Sequence, residues 1–109
     1  MNSLTIIKPD DWHIHLREGD MMKAVLESSS RINNRCIVMP NLENPINTLE
    51  KALDYKKKIL SLTKGENFIP LIPCYLTDNL DLSDFKLALE MGVFVGAKLY
   101  PSNATTNSS

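Results

Sequence analysis

The sequence predicts an α/β fold built on a parallel sheet, and three features of the chain lead to this prediction. Short apolar segments recur along the sequence, amphipathic helical patterns separate them, and proline ends two of the apolar segments. Strands that alternate with helices in this way are typical of βαβ units, in which the strands run parallel. The pattern leaves two architectures open, an open sheet or half of a (β/α)8 barrel.

The first half of the chain contains two predicted strands, each followed by a helix. We expect the first strand at 11–16 and the first helix at 20–30, with Asp20 as its N-cap. Pro40 should stop the second strand, 36–39. The second helix should begin at Asn47, because Glu50 follows in the capping-box pattern, and its inner stripe is expected to include the leucine and isoleucine positions Leu53 and Ile59.

The second half repeats this order. Its predicted elements are the third strand within 68–76, the third helix at 83–91 and the fourth strand at 93–100. Pro70 and Pro73 should restrict the ladder of the third strand to its last residues, because proline has no N–H to donate. Ser83 is the expected N-cap of the third helix, and Gly92 the residue just past its end.

Composition excludes several classes of protein. The chain has 109 residues, is 43% hydrophobic and carries a formal net charge of −1, which does not support a nucleic-acid or anionic-membrane partner. The N-terminus lacks a basic region followed by an apolar run, and no apolar stretch approaches the roughly 18 residues of a membrane span. Cys36 and Cys74 lie in apolar segments and are expected to be buried, reduced thiols. We therefore expect a cytoplasmic protein.

Both histidines of the chain lie in the first predicted strand. Alternation along a strand places His13, His15 and Arg17 on one face and the apolar Trp12, Ile14 and Leu16 on the other. Two imidazoles at i and i+2 can converge on one metal ion. The alternative is a pair of polar residues facing solvent at a sheet edge.

Lys98 is the one charged residue among the eleven residues 91–101. A lysine in an apolar strand can lose its proton, act as a nucleophile and react with carbon dioxide. The resulting carbamate is an anionic oxygen ligand. The alternative is a lysine that extends its charged end from the strand to water.

Polar residues also follow the second and fourth predicted strands. Asn41 comes directly after 38–40, at the carboxyl end where α/β folds place their sites. The tail 102–109 is small and polar, as expected of a mobile loop. By residue type alone, Asn41 is a turn former or a ligand contact.

Taken together, four segments resemble one family. They are DWHIHLR at 11–17, VMPN at 38–41, CYLT at 74–77 and AKLYPSNATTNSS at 97–109. They are similar to the monofunctional bacterial (class II) dihydroorotases of the amidohydrolase superfamily, and the resemblance runs from about residue 6 to the last residue. It implies a (β/α)8 barrel, of which this chain supplies the first four strands and three helices, with the site at the carboxyl ends of the strands.

The resemblance also implies a metal centre of two zinc ions per complete subunit. His13 and His15 match the pair that binds the more buried ion. Lys98 matches the lysine that carbon dioxide carboxylates and that bridges both ions. We expect the remaining ligands and the catalytic aspartate to lie beyond residue 109, so no catalytic residue is assigned.

The implied substrate contacts come from the same segments. Arg17 and Asn41 match residues that bind the substrate carboxylate, and His15 is expected to contact substrate as well. Thr105 and Thr106 match a mobile loop that closes over it. The implied reaction is the reversible cyclisation of N-carbamoyl-L-aspartate to L-dihydroorotate and water, in the biosynthesis of UMP.

Residues 1–109 are therefore expected to be the N-terminal part of a single barrel domain and to be inactive alone. The expected partner is a small-molecule substrate, with neither nucleic acid nor membrane, and a homodimer is one open possibility. The sequence leaves two alternative functions open. One is another cyclic-amide hydrolase of the dihydropyrimidinase or hydantoinase kind, and the other is a non-catalytic, dihydroorotase-like structural module.

Overall fold

The computed structural model describes residues 2–63 and 67–108. The elements in chain order are β1 Asp11–Ile14, α1 Gly19–Ile32, β2 Arg35–Val38, α2 Leu49–Leu62, β3 Ile69–Tyr75, α3 Leu82–Glu90 and β4 Phe94–Lys98. The predicted alternation of strands and helices is confirmed. None of the helices in the described ranges is long and apolar enough to cross a membrane.

The four strands form one parallel sheet in the order β1-β2-β3-β4. Each strand therefore lies beside the one before it in sequence, as consecutive strands of a (β/α)8 barrel do. A doubly wound sheet instead reverses its strand order at a switch point. Of the two architectures left open by the sequence, this order favours the barrel.

The hydrophobic core lies between the helices and one face of the sheet. Its buried residues from the strands include Cys36, Val38, Ile72, Cys74 and Phe94, and those from the helices include Leu26, Ala52, Tyr55, Ile59 and Ala88. Both cysteines are free and buried, as predicted. Alternation places Ile69 and Val95 on the other face, where they are 47% and 46% exposed. The helices of the described residues thus cover one face of the sheet only.

All three helix starts differ from the sequence prediction, beginning with those of α2 and α3. The N-cap of α2 is Thr48, whose hydroxyl accepts a hydrogen bond from the Lys51 N–H at 3.2 Å. The N-cap of α3 is Asp81, whose carboxylate accepts from the N–H groups of Ser83 and Asp84. A carboxylate one position before the helix can reach two free N–H groups, which makes Asp81 a better cap than Ser83.

The end of α3 agrees with the sequence prediction, and the start of α1 does not. Gly92 has φ +72° and follows the C-cap, as predicted. The N–H of Gly92 donates to Leu89 and that of Val93 to Ala88, which is the Schellman pattern. Helix α1 begins at Gly19, so Asp20 lies within its first turn and does not cap it.

Strand β3 forms its ladder earlier than the prolines suggested. The pairs Arg35↔Ile69, Cys36↔Pro70 and Ile37↔Leu71 join it to β2. Successive N–H positions point alternately to the two neighbouring strands, and the Ile69 N–H points to β2. Pro73 therefore faces β2 beyond the last registered pair, and Pro70 faces β4 before its first pair, Ile72↔Phe94. Neither proline occupies a position where the ladder needs a donor.

Candidate functional site

A bulge in β4 determines which way Lys98 faces. The pairs Ile72↔Phe94 and Cys74↔Ala97 span two steps on β3 but three on β4, so β4 contains one extra residue. Without that residue, Lys98 would share the face of Phe94, which is buried in the core. With it, Lys98 pairs with Tyr75 on the opposite face. Bulges that redirect a side chain are common beside functional sites.

A similar irregularity lies in β1, between the pairs Asp11↔Cys36 and Ile14↔Val38. Ile14 packs against the core and Leu16 is fully buried, so His13 and His15 lie on the face away from the helices, as alternation predicted. Trp12 does not pack under the helices as expected. It is 49% exposed, and the Arg35 guanidinium lies 5.0 Å from its ring centroid.

The two imidazoles converge. Their Nε2 atoms lie 3.2 Å apart, and the rings are inclined at 61°. Two Zn–N bonds of about 2.0–2.1 Å at a tetrahedral angle separate their nitrogens by about 3.3–3.4 Å. The His13–His15 pair therefore has the spacing of two ligands of one metal ion.

His15 is also held in the protonation state that binds metals. Burial lowers its pKa, as do the positive charges of Arg17 and His13 and, least of all, that of Lys98, while an interaction with Asn41 opposes the shift. Its Nδ1 atom is buried and has no hydrogen-bond partner among the described residues. A neutral imidazole is the form that coordinates a cation.

Lys98 is half-buried at the end of β4, and its Nζ lies 5.7 Å from the ring centroid of Tyr100. The positive charge of Lys98 contributes to the lowered pKa of His15. Within 2–63 and 67–108, Lys98 makes no hydrogen bond to either imidazole and no salt bridge. Those ranges contain no group of three or more His, Cys, Asp or Glu residues that could hold a metal. Among the described residues, a third donor beside the histidine pair would have to be of another chemical kind.

Arg17 follows β1 in a turn instead of extending the strand. Its φ is +58°, in the left-handed region, and the Tyr55 hydroxyl from α2 donates to its carbonyl oxygen at 2.7 Å. Its guanidinium donates to the main-chain oxygen of Asn41 at 3.2 Å. A cavity of about 260 Å³ adjoins it, lined by Arg17, Glu18, Met21, Leu42, Glu43, Thr106 and Asn107.

Asn41 lies at the centre of a hydrogen-bond network and is fully buried. Its Oδ1 accepts from the Tyr100 hydroxyl at 3.0 Å, and its Nδ2 donates to the carbonyl oxygen of Thr106 at 2.8 Å. Its own main-chain oxygen accepts from Arg17 and from the Asn107 side chain. The two residues predicted to bind a carboxylate, Arg17 and Asn41, are therefore in direct contact.

Residues 101–108 form a compact turn that packs on this network. The Asn103 N–H donates to the Ser108 carbonyl at 2.8 Å, and the Ser108 hydroxyl donates to the Thr105 carbonyl at 2.6 Å. The Tyr75 hydroxyl donates to the Asn107 carbonyl at 3.1 Å. Thr105 and Thr106 are exposed, so Thr106 meets Asn41 through its main chain.

Sequence reasoning missed Tyr55 and Tyr100. Alternation offered a signal for Tyr100, which follows Lys98 by two residues. Burial, then the neighbouring Tyr75, raise the pKa of Tyr100 to about 12, so its phenol remains a hydrogen-bond donor. The inner stripe that the sequence predicts for α2 includes Leu53 and leaves Tyr55 out. Tyr55 is buried instead, and Leu53 is 45% exposed.

Comparison with known proteins finds dihydroorotases among both curated sequences and solved structures. No protein-family model matches the chain. It is 54% identical over 107 residues to the dihydroorotase of Escherichia fergusonii and 53% identical to that of Salmonella arizonae. These alignments cover 97% of this chain but 31% of the relatives, so the chain spans about a third of their length.

Two solved structures that the chain resembles are also dihydroorotases. The chain resembles the dihydroorotase of Campylobacter jejuni, with a TM-score of 0.82 and 37% identity over 92% of this chain and 29% of that one. It also resembles the dihydroorotase of Saccharomyces cerevisiae solved in complex with 5-fluoroorotic acid, with a TM-score of 0.79 and 33% identity over 92% of this chain and 27% of that one.

Proposed function

Because the chain is homologous to dihydroorotases over 97% of its length, we propose that it forms part of a dihydroorotase. In this proposal the complete protein interconverts N-carbamoyl-L-aspartate with L-dihydroorotate and water, in the synthesis of UMP. The identity to curated dihydroorotases carries the proposal, and the convergence of His13 and His15 supports it independently.

The proposed metal centre contains two zinc ions in the complete subunit. His13 and His15 would bind one ion, which their 3.2 Å spacing and the depressed pKa of His15 support. The Lys98 amine would attack the carbon of carbon dioxide and release a proton to solvent, and the resulting carbamate would supply an anionic oxygen ligand to both ions. Metal ions bound there would polarise the carbonyl under attack and make water a better nucleophile.

The proposed substrate contacts are Arg17, Asn41 and His15. The guanidinium is a planar fork with five N–H donors and suits the substrate carboxylate. The Asn41 side chain donates a hydrogen bond to the carbonyl oxygen of Thr106. A carboxylate oxygen of the substrate would take the place of that carbonyl oxygen and accept the same hydrogen bond. Thr105 and Thr106 would close over bound substrate and exclude water.

We further propose that residues 1–109 belong to the N-terminal part of one barrel domain, and that the complete protein acts in the cytoplasm on a small-molecule substrate. Within the described residues, the helices cover one face of the sheet. The remainder of a barrel would enclose the other face, which carries the histidine pair. Without it, we expect the 109-residue chain to be inactive.

The test uses the complete protein that contains this segment. Zinc per chain and turnover of L-dihydroorotate are measured together, with dihydropyrimidine and hydantoin as alternative substrates that lack the exocyclic carboxylate. About two zinc ions and turnover of L-dihydroorotate alone are expected. Turnover of the uncharged rings would favour the hydantoinase alternative, and a protein with no zinc and no turnover would favour the structural module.

A further inference from the structure

The orientation of the Asn41 side chain follows from its neighbours. One end of the carboxamide faces the carbonyl oxygen of Thr106 at 2.8 Å. A carbonyl oxygen accepts hydrogen bonds and cannot donate them, so the group that faces it must be the NH₂ group. The opposite end is then the oxygen, and the Tyr100 hydroxyl 3.0 Å away must be its donor.

Stacking on Tyr75 fixes the position of the Tyr100 ring, and with it the hydroxyl that donates to Asn41. Its ring stacks on Tyr75 with centroids 4.8 Å apart and planes inclined by 21°. The Nζ atom of Lys98 lies 5.7 Å from the same ring centroid. Tyr100 therefore connects the strand that carries Lys98 to the fully buried Asn41.

Loss of the Tyr100 hydroxyl would change which atom of the Asn41 carboxamide faces the ligand. Its buried oxygen would have no donor. The Thr106 carbonyl would still attract the NH₂ group, but once a ligand takes the place of that carbonyl the carboxamide could rotate and direct its oxygen toward the ligand. An oxygen there repels a carboxylate, whereas an NH₂ group attracts it.

We propose that Tyr100 is a positioning residue that fixes the Asn41 carboxamide with its NH₂ group toward the ligand, and so favours ligands that present a carboxylate oxygen. This inference rests on the proposed function, because Asn41 must contact the substrate. Tyr100 itself touches neither the substrate nor the histidine pair in this account, and acts through Asn41.

The experiment is a double-mutant cycle in the complete protein, with L-dihydroorotate as the substrate. Tyr100→Phe keeps the ring and removes only the hydroxyl. We expect KM to rise about tenfold, which corresponds to about 1.4 kcal/mol at 25 °C. We expect kcat to change less than threefold and the zinc content to remain unchanged.

The cycle separates positioning from a general structural role. In an Asn41→Ala background, Tyr100→Phe should have no further effect on KM, because the group it orients is absent. The control is Lys86→Ala, at an exposed position on α3, and its KM should change less than threefold. If Asn41→Ala does not fold, Asn41→Ser takes its place.

Three results would overturn the inference alone while the unsubstituted protein turns over L-dihydroorotate. They are an unchanged KM in Tyr100→Phe, fully additive effects in the double variant, and an equal rise of KM in Lys86→Ala. Absence of turnover by the unsubstituted protein would instead refute the proposed function, and this inference with it.

Discussion

The contact between α2 and the turn at Arg17 provides a sharp prediction. Tyr55 is 2% exposed, and its hydroxyl donates to the Arg17 carbonyl at 2.7 Å. Burial and the charge of Glu18 raise the pKa of Tyr55, so the phenol remains protonated and donates throughout the working pH range. We expect Tyr55→Phe to remove this bond while leaving the packing of the ring in place.

The size of the effect follows from what the substitution leaves behind. The partly buried Arg17 carbonyl would lose its donor, and an acceptor left without a partner costs up to about 1–3 kcal/mol. Arg17 also has φ +58°, a conformation that costs a non-glycine residue about 1–2 kcal/mol and persists when its surroundings hold it. The turn that directs the guanidinium should therefore loosen.

The assay combines stability with substrate binding in the complete protein. Tyr55→Phe should lower the free energy of unfolding measured in urea by about 1–3 kcal/mol and raise KM for L-dihydroorotate. Arg31→Ala, at an exposed position near the end of α1, is the control for a substitution outside the site. An unfolding free energy within about 0.5 kcal/mol of the unsubstituted protein, with KM unchanged, would refute the reasoning.

Three further predictions concern the candidate metal and substrate residues. Lys98→Ala should lower zinc content and activity together, with partial rescue by short carboxylic acids. The control Lys86→Ala, at an exposed position, should leave zinc content and activity unchanged. Full zinc content and full rate in Lys98→Ala would exclude a bridging role. Arg17→Ala should raise KM and leave zinc bound, so that loss of zinc would indicate a structural role. Because the pKa of His15 is lowered on folding, the unfolded chain binds its proton more readily, and metal-free protein should lose stability as pH falls below about 6.5. His15→Gln should flatten that part of the pH profile measured by urea titration, and an unchanged profile would contradict the assignment.

The sequence was sufficient for the order of the elements and for the histidine pair. Alternation along β1 placed His13 and His15 together because that rule is local and depends on neighbouring residues alone. The same rule failed for Trp12, which lies where the register of β1 shifts and where Arg35 covers its ring. The register between paired strands therefore determines the direction of a side chain where alternation along one strand predicts it wrongly.

Lys98 illustrates the same limit more strongly. The sequence singled it out as a charged residue in an apolar segment, but its direction depends on the extra residue between Phe94 and Ala97. A bulge arises from the register with β3, which periodicity does not encode. The caps of α2 and α3 differed by one or two residues for a related reason, since several side chains nearby could serve as caps.

The contacts of Asn41 were beyond sequence reasoning. Its partners Arg17, Tyr100 and Thr106 lie 24, 59 and 65 residues away along the chain. The tail that supplies Thr106 has the composition of a loose loop, and yet residues 101–108 form a compact turn on Asn41 and Tyr75. Whether that turn opens and closes over a substrate remains a prediction.

The central claim is that the two histidines and Lys98 hold zinc between them. It is tested most directly by a crystal structure of the complete protein grown with zinc and bicarbonate, with anomalous data collected at the zinc edge. We predict one anomalous peak bonded to Nε2 of both His13 and His15, a second nearby, and density for a carbamate on Lys98 that joins the two. Anomalous density away from the histidine pair, or a bare Lys98 amine beside occupied zinc sites, would contradict the claim.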